Sequence, residues 1–197
     1  MRKTSVRINP LLYVVWTVFI VAGQTAALLY AFLGALLHES AHICAFTLLG
    51  AKIRKIEILP FGISMSLVSA TALDCRGEII AAAAGPAANL LCALGLLLLR
   101  PVPNLEGTTF FFYCNVALFV INCLPILPLD GGRIMYFGLL KMVSPVTAKK
   151  VSIGVSFALL VPLFVFALYQ TVTAGNLSVL LIALYLLLYL FTYPENF

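Results

Sequence analysis

The 197 residues are 63% hydrophobic and only 10% charged, with a mean hydropathy of +1.11. Soluble domains run at about 45–50% apolar and about 25% charged, so this composition excludes an ordinary water-soluble fold and points to an all-α polytopic membrane protein. The formal charge of +5 could suggest an anionic partner, but there is no clustered solvated basic patch and so no basis for binding nucleic acid.

In chain order, apolar runs predict about six transmembrane helices near residues 9–23, 25–50, 78–99, 108–124, 151–169 and 177–193. Their connections are short, so residues 1–197 form a single transmembrane domain with the lipid bilayer as its surroundings. With the N-terminus in the cytoplasm, one side receives Arg2, Lys3, Arg7, Lys52, Arg54, Lys55, Arg76, Arg133, Lys141, Lys149 and Lys150, and only Arg100 falls on the other. That is the positive-inside pattern, and it puts both termini in the cytoplasm. The first run also has the look of a signal peptide, ending in "VAGQTAA". Apolar character resumes at once, however, so it is expected to stay as a span, with Gly23 and Gln24 in a tight turn.

The second span contains "GALLHESAHICAF", residues 34–46. His38 and His42 are four apart, so on a helix they share a face and can grip one ion. Glu39 sits about 100° around the helix, where it can reach a water beside the metal without ligating. This is the HExxH arrangement of zinc hydrolases, with glutamate as general base. The chain has only two histidines and both fall here. Ionisable groups inside a span are costly and by default functional. The competing reading is a pair of hydrogen-bonded core histidines.

After this span, "KIEILPFGISMSLV" (residues 55–68) alternates with a period of two, and Pro60-Phe61-Gly62 supplies turn chemistry. A short membrane-associated β-hairpin is expected, against the alternative of an irregular amphipathic loop. Ile63, Ser64 and Met65 on its second arm are candidates to hold an extended peptide by strand addition. The third span opens "GEIIAAAAGPAANLL". Its Ala81–Ala84, Gly85, Ala87 and Ala88 form a small-residue surface for close helix approach. Asn89 needs a partner in the membrane, either an interhelical hydrogen bond or a polar site. The five cysteines include no CxxC pair and read as small apolar packing residues.

Two histidines leave a catalytic zinc short of its usual third protein ligand. The candidate lies in "INCLPILPLDGGRI", residues 121–134, where Asp130 is the only acidic residue between Glu106 and Glu195. Pro125 and Pro128 break the helical ladder, and Gly131 and Gly132 permit a sharp turn to aim the carboxylate. An ordinary Asp-Gly turn at the membrane surface is the alternative. His42 lies about 12 Å from the cytoplasmic end of its span, and Asp130 follows the cytoplasmic end of the fourth, so both can meet in the same half of the bilayer. Asn122, in the same region, can hold substrate backbone, polarise a carbonyl or cap a helix.

HESAH, "FGISMSL", "AGPAAN" and "NCLPILPLDGG", in this order and over nearly the whole chain, resemble the site-2 protease family of intramembrane zinc metalloproteases. The resemblance implies one Zn2+ per chain held by His38, His42 and Asp130, with Glu39 activating water and Asn122 assisting. Asn89 matches the family's Gly-Pro-x-x-Asn element and is a candidate for substrate contact. It implies cleavage of membrane-spanning or membrane-associated protein substrates, and leaves a place for an inhibitory membrane partner. The six-span layout and "LPFG" are similar to stage IV sporulation protein FB-like members, which implies a bacterial cytoplasmic or forespore membrane and a sigma-factor precursor as substrate. The sequence departs from those members in lacking room for a nucleotide-sensing CBS domain, and Ala41 stands where the family often has glycine. The rival from another class is a catalytically idle metal-binding membrane transporter or regulatory protein.

Overall fold

The computed structural model describes residues 5–8, 10, 13, 16–17, 20–21, 23, 25–59, 62–67, 73–98, 106–175 and 178–192. The chain divides into two compact units, Met1–Ile121 and Asn122–Phe197. Most of the span expected at 9–23 lies outside the described residues, as does Gln24. Gly23 takes φ +70° with its N–H on the Ile20 carbonyl at 3.0 Å, a turn that needs glycine's freedom. Trp16 packs edge-on against Phe32, with ring centroids 5.4 Å apart.

In the first unit, the long helix α1 runs Thr25–Leu48. Its buried residues include Leu28, Ala35, His38, His42 and Phe46, spaced by three, four or seven, so one stripe faces inward. Gly50, at φ +84°, stops it. The N–H of Ala51 returns to the Phe46 carbonyl at 2.9 Å and that of Gly50 to Thr47 at 3.0 Å, which satisfies carbonyls the helix end leaves open. Phe46 and Ala51 then pack with Ala81. Helix α2, Cys75–Leu98, starts at Asp74, whose Oδ1 accepts from the N–H of Gly77 at 2.8 Å. Its buried side is mostly Gly and Ala, so α1 and α2 approach closely. Helix α3, Glu106–Asn122, meets α1 through Tyr30, whose ring lies 6.0 Å from Phe110 and 6.1 Å from Phe111.

Three strands, β1 (Ser5–Ile8), β2 (Ile53–Leu59) and β3 (Gly62–Leu67), form one sheet in that order. Strands β2 and β3 pair antiparallel, with Ile58 opposite Ile63, Glu57 opposite Ser64 and Ile56 opposite Met65. Pro60 and Phe61, between the arms, lie outside the described residues. Strand β1 is a feature the sequence did not announce: residues 5–8 showed only Arg7 on the basic side, yet they pair in parallel with β2, Arg7 opposite Glu57. A parallel pair needs a long crossover, which the intervening chain supplies.

The second unit contains α4 (Asp130–Leu139), α5 (Pro145–Ala174) and α6 (Ser178–Thr192). Helix α5 has Ser144 as its N-cap, Pro145 in its first turn and Gly175 at φ +65° beyond its end. These are the residue types each helix position favours. The core joins Ile126 and Leu127, from the loop before α4, to Leu160 of α5 and to Leu186 and Leu190 of α6. Among the described residues, three helices, α1, α2 and α5, are long and apolar enough to cross a membrane; α3 and α6 are shorter apolar helices. Leu48, Leu98, Val161 and Val172 stand well exposed on them, a surface suited to lipid rather than water. The protein is a membrane protein.

Candidate metal centre

His38 and His42 project from the inward stripe of α1, each 5% exposed. Their rings lie edge to face with centroids 4.7 Å apart, and their Nε2 atoms are 3.0 Å apart. Nδ1 of His42 donates to the carbonyl of Ala81 at 2.7 Å. A carbonyl can only accept, so the N–H must be on Nδ1 and Nε2 carries the lone pair. Nδ1 of His38 faces Oδ1 of Asn89 at 2.5 Å, which sets the same tautomer. Two lone pairs directed at one point repel one another, and a cation between them makes the arrangement favourable. Two nitrogens about 2.0–2.1 Å from one tetrahedral zinc ion would lie roughly 3.3 Å apart, close to what is seen. The pair therefore fits a metal.

Gly85 makes the space for that edge of the rings. A Cβ there would sit 2.7 Å from Nε2 of His38 and closer still to Nε2 of His42. The sequence marked Gly85 as one of several small packing residues; its neighbours show a more particular reason for glycine. Glu39, half-buried, follows His38 on the helix. Ala41, also half-buried, is accommodated in α1.

Asn89 and Asn115 are both completely buried. Nδ2 of Asn89 donates to the Gly34 carbonyl at 3.2 Å and to Oδ1 of Asn115 at 2.9 Å, and Nδ2 of Asn115 donates to the Phe111 carbonyl at 2.8 Å. Asn115 was missed by the sequence reading. The signal was present, since an amide inside a span needs a partner wherever it occurs, and the argument made for Asn89 applies equally to it.

In the second unit, Asp130 is 7% exposed and opens α4, where its negative charge meets the positive end of the helix dipole. The segment before it is non-helical, with Leu129 N–H on the Ile126 carbonyl at 2.8 Å and Leu127 N–H on Oγ of Ser156 at 2.9 Å. Gly131 and Gly132 do not make the expected sharp turn. They lie within the first turn of α4, packed against backbone. A Cβ on Gly131 would meet the Leu124 carbonyl oxygen at 2.5 Å, and one on Gly132 the Ile126 carbonyl oxygen at 2.6 Å. Glycine is needed here for close approach of two backbone segments. Asn122 is the half-buried last residue of α3. Ile63, Ser64 and Met65 lie on β3, which runs along α1; their side chains are outside the described ones.

The fold is that of a solved site-2 protease from Methanocaldococcus jannaschii. The two align with a TM-score of 0.68 and 21% identity, over 91% of this chain and 85% of the other. In sequence, residues 105–163 match Peptidase family M50. The chain is similar to stage IV sporulation protein FB of Bacillus subtilis, at 26% identity over 67% of this chain and 46% of that protein. It is also similar to a zinc metalloprotease of M. jannaschii, at 30% identity over 68% and 40% respectively. It spans less than half the length of both these relatives. The chain thus has the fold of that site-2 protease, and part of it is similar in sequence to the M50 peptidases.

Proposed function

We propose that this protein is an intramembrane zinc metalloendopeptidase, cleaving peptide bonds of membrane-spanning or membrane-associated proteins. The observation that carries the reading is the histidine pair: both Nδ1 atoms are engaged, and both Nε2 atoms converge at 3.0 Å beside Gly85. His38, His42 and Asp130 are the proposed zinc ligands. A bound zinc would supply Lewis acidity, polarising the scissile carbonyl and making water more acidic. Glu39 accepts the proton of the attacking water and delivers it to the leaving amine. Asn122 donates its amide hydrogens to the substrate carbonyl. β3, at the edge of the three-stranded order, holds the substrate extended by strand addition, through Ile63, Ser64 and Met65.

Both termini are proposed to be cytoplasmic, in a bacterial cytoplasmic or forespore membrane. The similarity to stage IV sporulation protein FB makes a sporulation sigma-factor precursor the first substrate to try, and an inhibitory membrane protein a partner to seek. Glu39 sets this reading apart from an idle metal-binding transporter, which has no use for a base beside its ligands. The test is Glu39→Gln in reconstituted membranes. Zinc content should match wild type while cleavage of a membrane substrate falls by about 10²-fold or more. Full cleavage by this variant would remove the assignment of Glu39 as base.

A further inference from the structure

His38 and His42 present the same tautomer by different means. His42 leans on a backbone carbonyl, which can be nothing but an acceptor. His38 leans on a side-chain amide, whose two ends can exchange unless something else orients them. Here the orientation is fixed from outside. The Gly34 carbonyl accepts only, so the nitrogen of Asn89 must face it and the oxygen must turn to His38. Asn115 adds a second constraint. Its own nitrogen is committed to the Phe111 carbonyl, which leaves its oxygen for the nitrogen of Asn89. Both amides are 0% exposed, so no solvent competes for these bonds.

We infer that Asn89 and Asn115 form a relay that positions His38, holding its N–H on Nδ1 and presenting the Nε2 lone pair to the metal. The backbone carbonyls at its outer ends belong to α1 and α3, and Asn89 belongs to α2, so three helices converge on the state of one imidazole. Asn89 is in this account a positioning residue rather than a substrate contact. The inference rests on reading His38 as a zinc ligand. Its physical basis is general: a hydrogen bond to the far nitrogen of a metal-binding histidine fixes its tautomer and raises its basicity.

The test measures zinc affinity of the full chain in detergent by chelator competition. Co2+ absorption reports ligand geometry, and thermal melting of the metal-free protein reports folding. Asn89→Leu removes the acceptor at similar volume and should weaken zinc binding about 10–100-fold, with a changed Co2+ spectrum. Asn89→Asp keeps an oxygen on Nδ1 and, protonated on the other oxygen, still donates to Asn115. It should recover affinity to within about threefold of wild type. An amide serving helix packing alone would not give this rescue, so an Asp variant as weak as the Leu variant overturns the relay. Wild-type affinity in Asn89→Leu overturns it also. Should that variant not fold, Asn115→Ala decides: a several-fold loss is expected, and unchanged affinity sinks the proposal. His38→Ala separates the two levels. If it keeps wild-type zinc affinity the ligand reading itself fails; if it loses zinc while Asn89→Leu does not, only the relay fails.

Discussion

The two units support their metal-binding candidates in different ways. In the first, two imidazoles are aimed by hydrogen bonds from a neighbouring helix, and Gly85 leaves a gap that movable rings fill. In the second, a carboxylate is placed by backbone against backbone, since Gly131 and Gly132 press on the carbonyl oxygens of the preceding segment. Each case sets glycine beside a candidate ligand. What differs is the neighbour: a side chain can rotate away, whereas a main-chain carbonyl inside a packed loop cannot. The first unit should therefore lose function before it loses its fold, and the second should lose both together.

The largest effect is expected from Gly131→Ala. Its Cβ would lie 2.5 Å from the Leu124 carbonyl oxygen, so the 123–130 segment must move and with it the core built on Ile126 and Leu127. A loss of about 3 kcal/mol or more is expected in a denaturation experiment in detergent. A fully stable variant would show that the backbone crossing is not needed. Gly85→Ala comes next and tests the other half of the comparison. The imidazoles should rotate out, with thermal stability nearly kept and zinc affinity lowered by about 10²-fold; a variant that unfolds instead would erase the contrast. The smallest effect is expected from Ser156→Ala. It leaves the buried N–H of Leu127 without its acceptor and should cost about 1–2 kcal/mol, read as a lower melting temperature. No change there would mean that the loop is held by its apolar core alone.

Much of the candidate site was legible in the chain. HExxH on an apolar helix carries its own geometry, because a spacing of four puts both histidines on one face whatever surrounds them. The helices follow from apolar length, and their ends from residues such as Ser144, Gly50 and Gly175, whose preferences are local. Helix α4 was not legible. Its ten residues open with Asp-Gly-Gly, a turn signal by local chemistry, and become helical where the backbone packs against the preceding loop. Strand β1 was hidden for a related reason: four residues among basic ones carry no period, and only pairing with a strand some fifty residues later makes them a strand.

The sequence by itself determined that this is a membrane protein with a two-histidine metal motif in one helix and an isolated aspartate after a broken one. These depend on hydrophobicity, helical periodicity and the rarity of charge in lipid, all properties of the residues and their spacing. Tertiary structure alone decided which nitrogen of each histidine faces inward, why a side chain at Gly85 would displace the histidine rings, and that Asn115 stands behind Asn89. Those are relations between atoms on different helices, and no local pattern encodes which donor will meet which acceptor once the helices are packed.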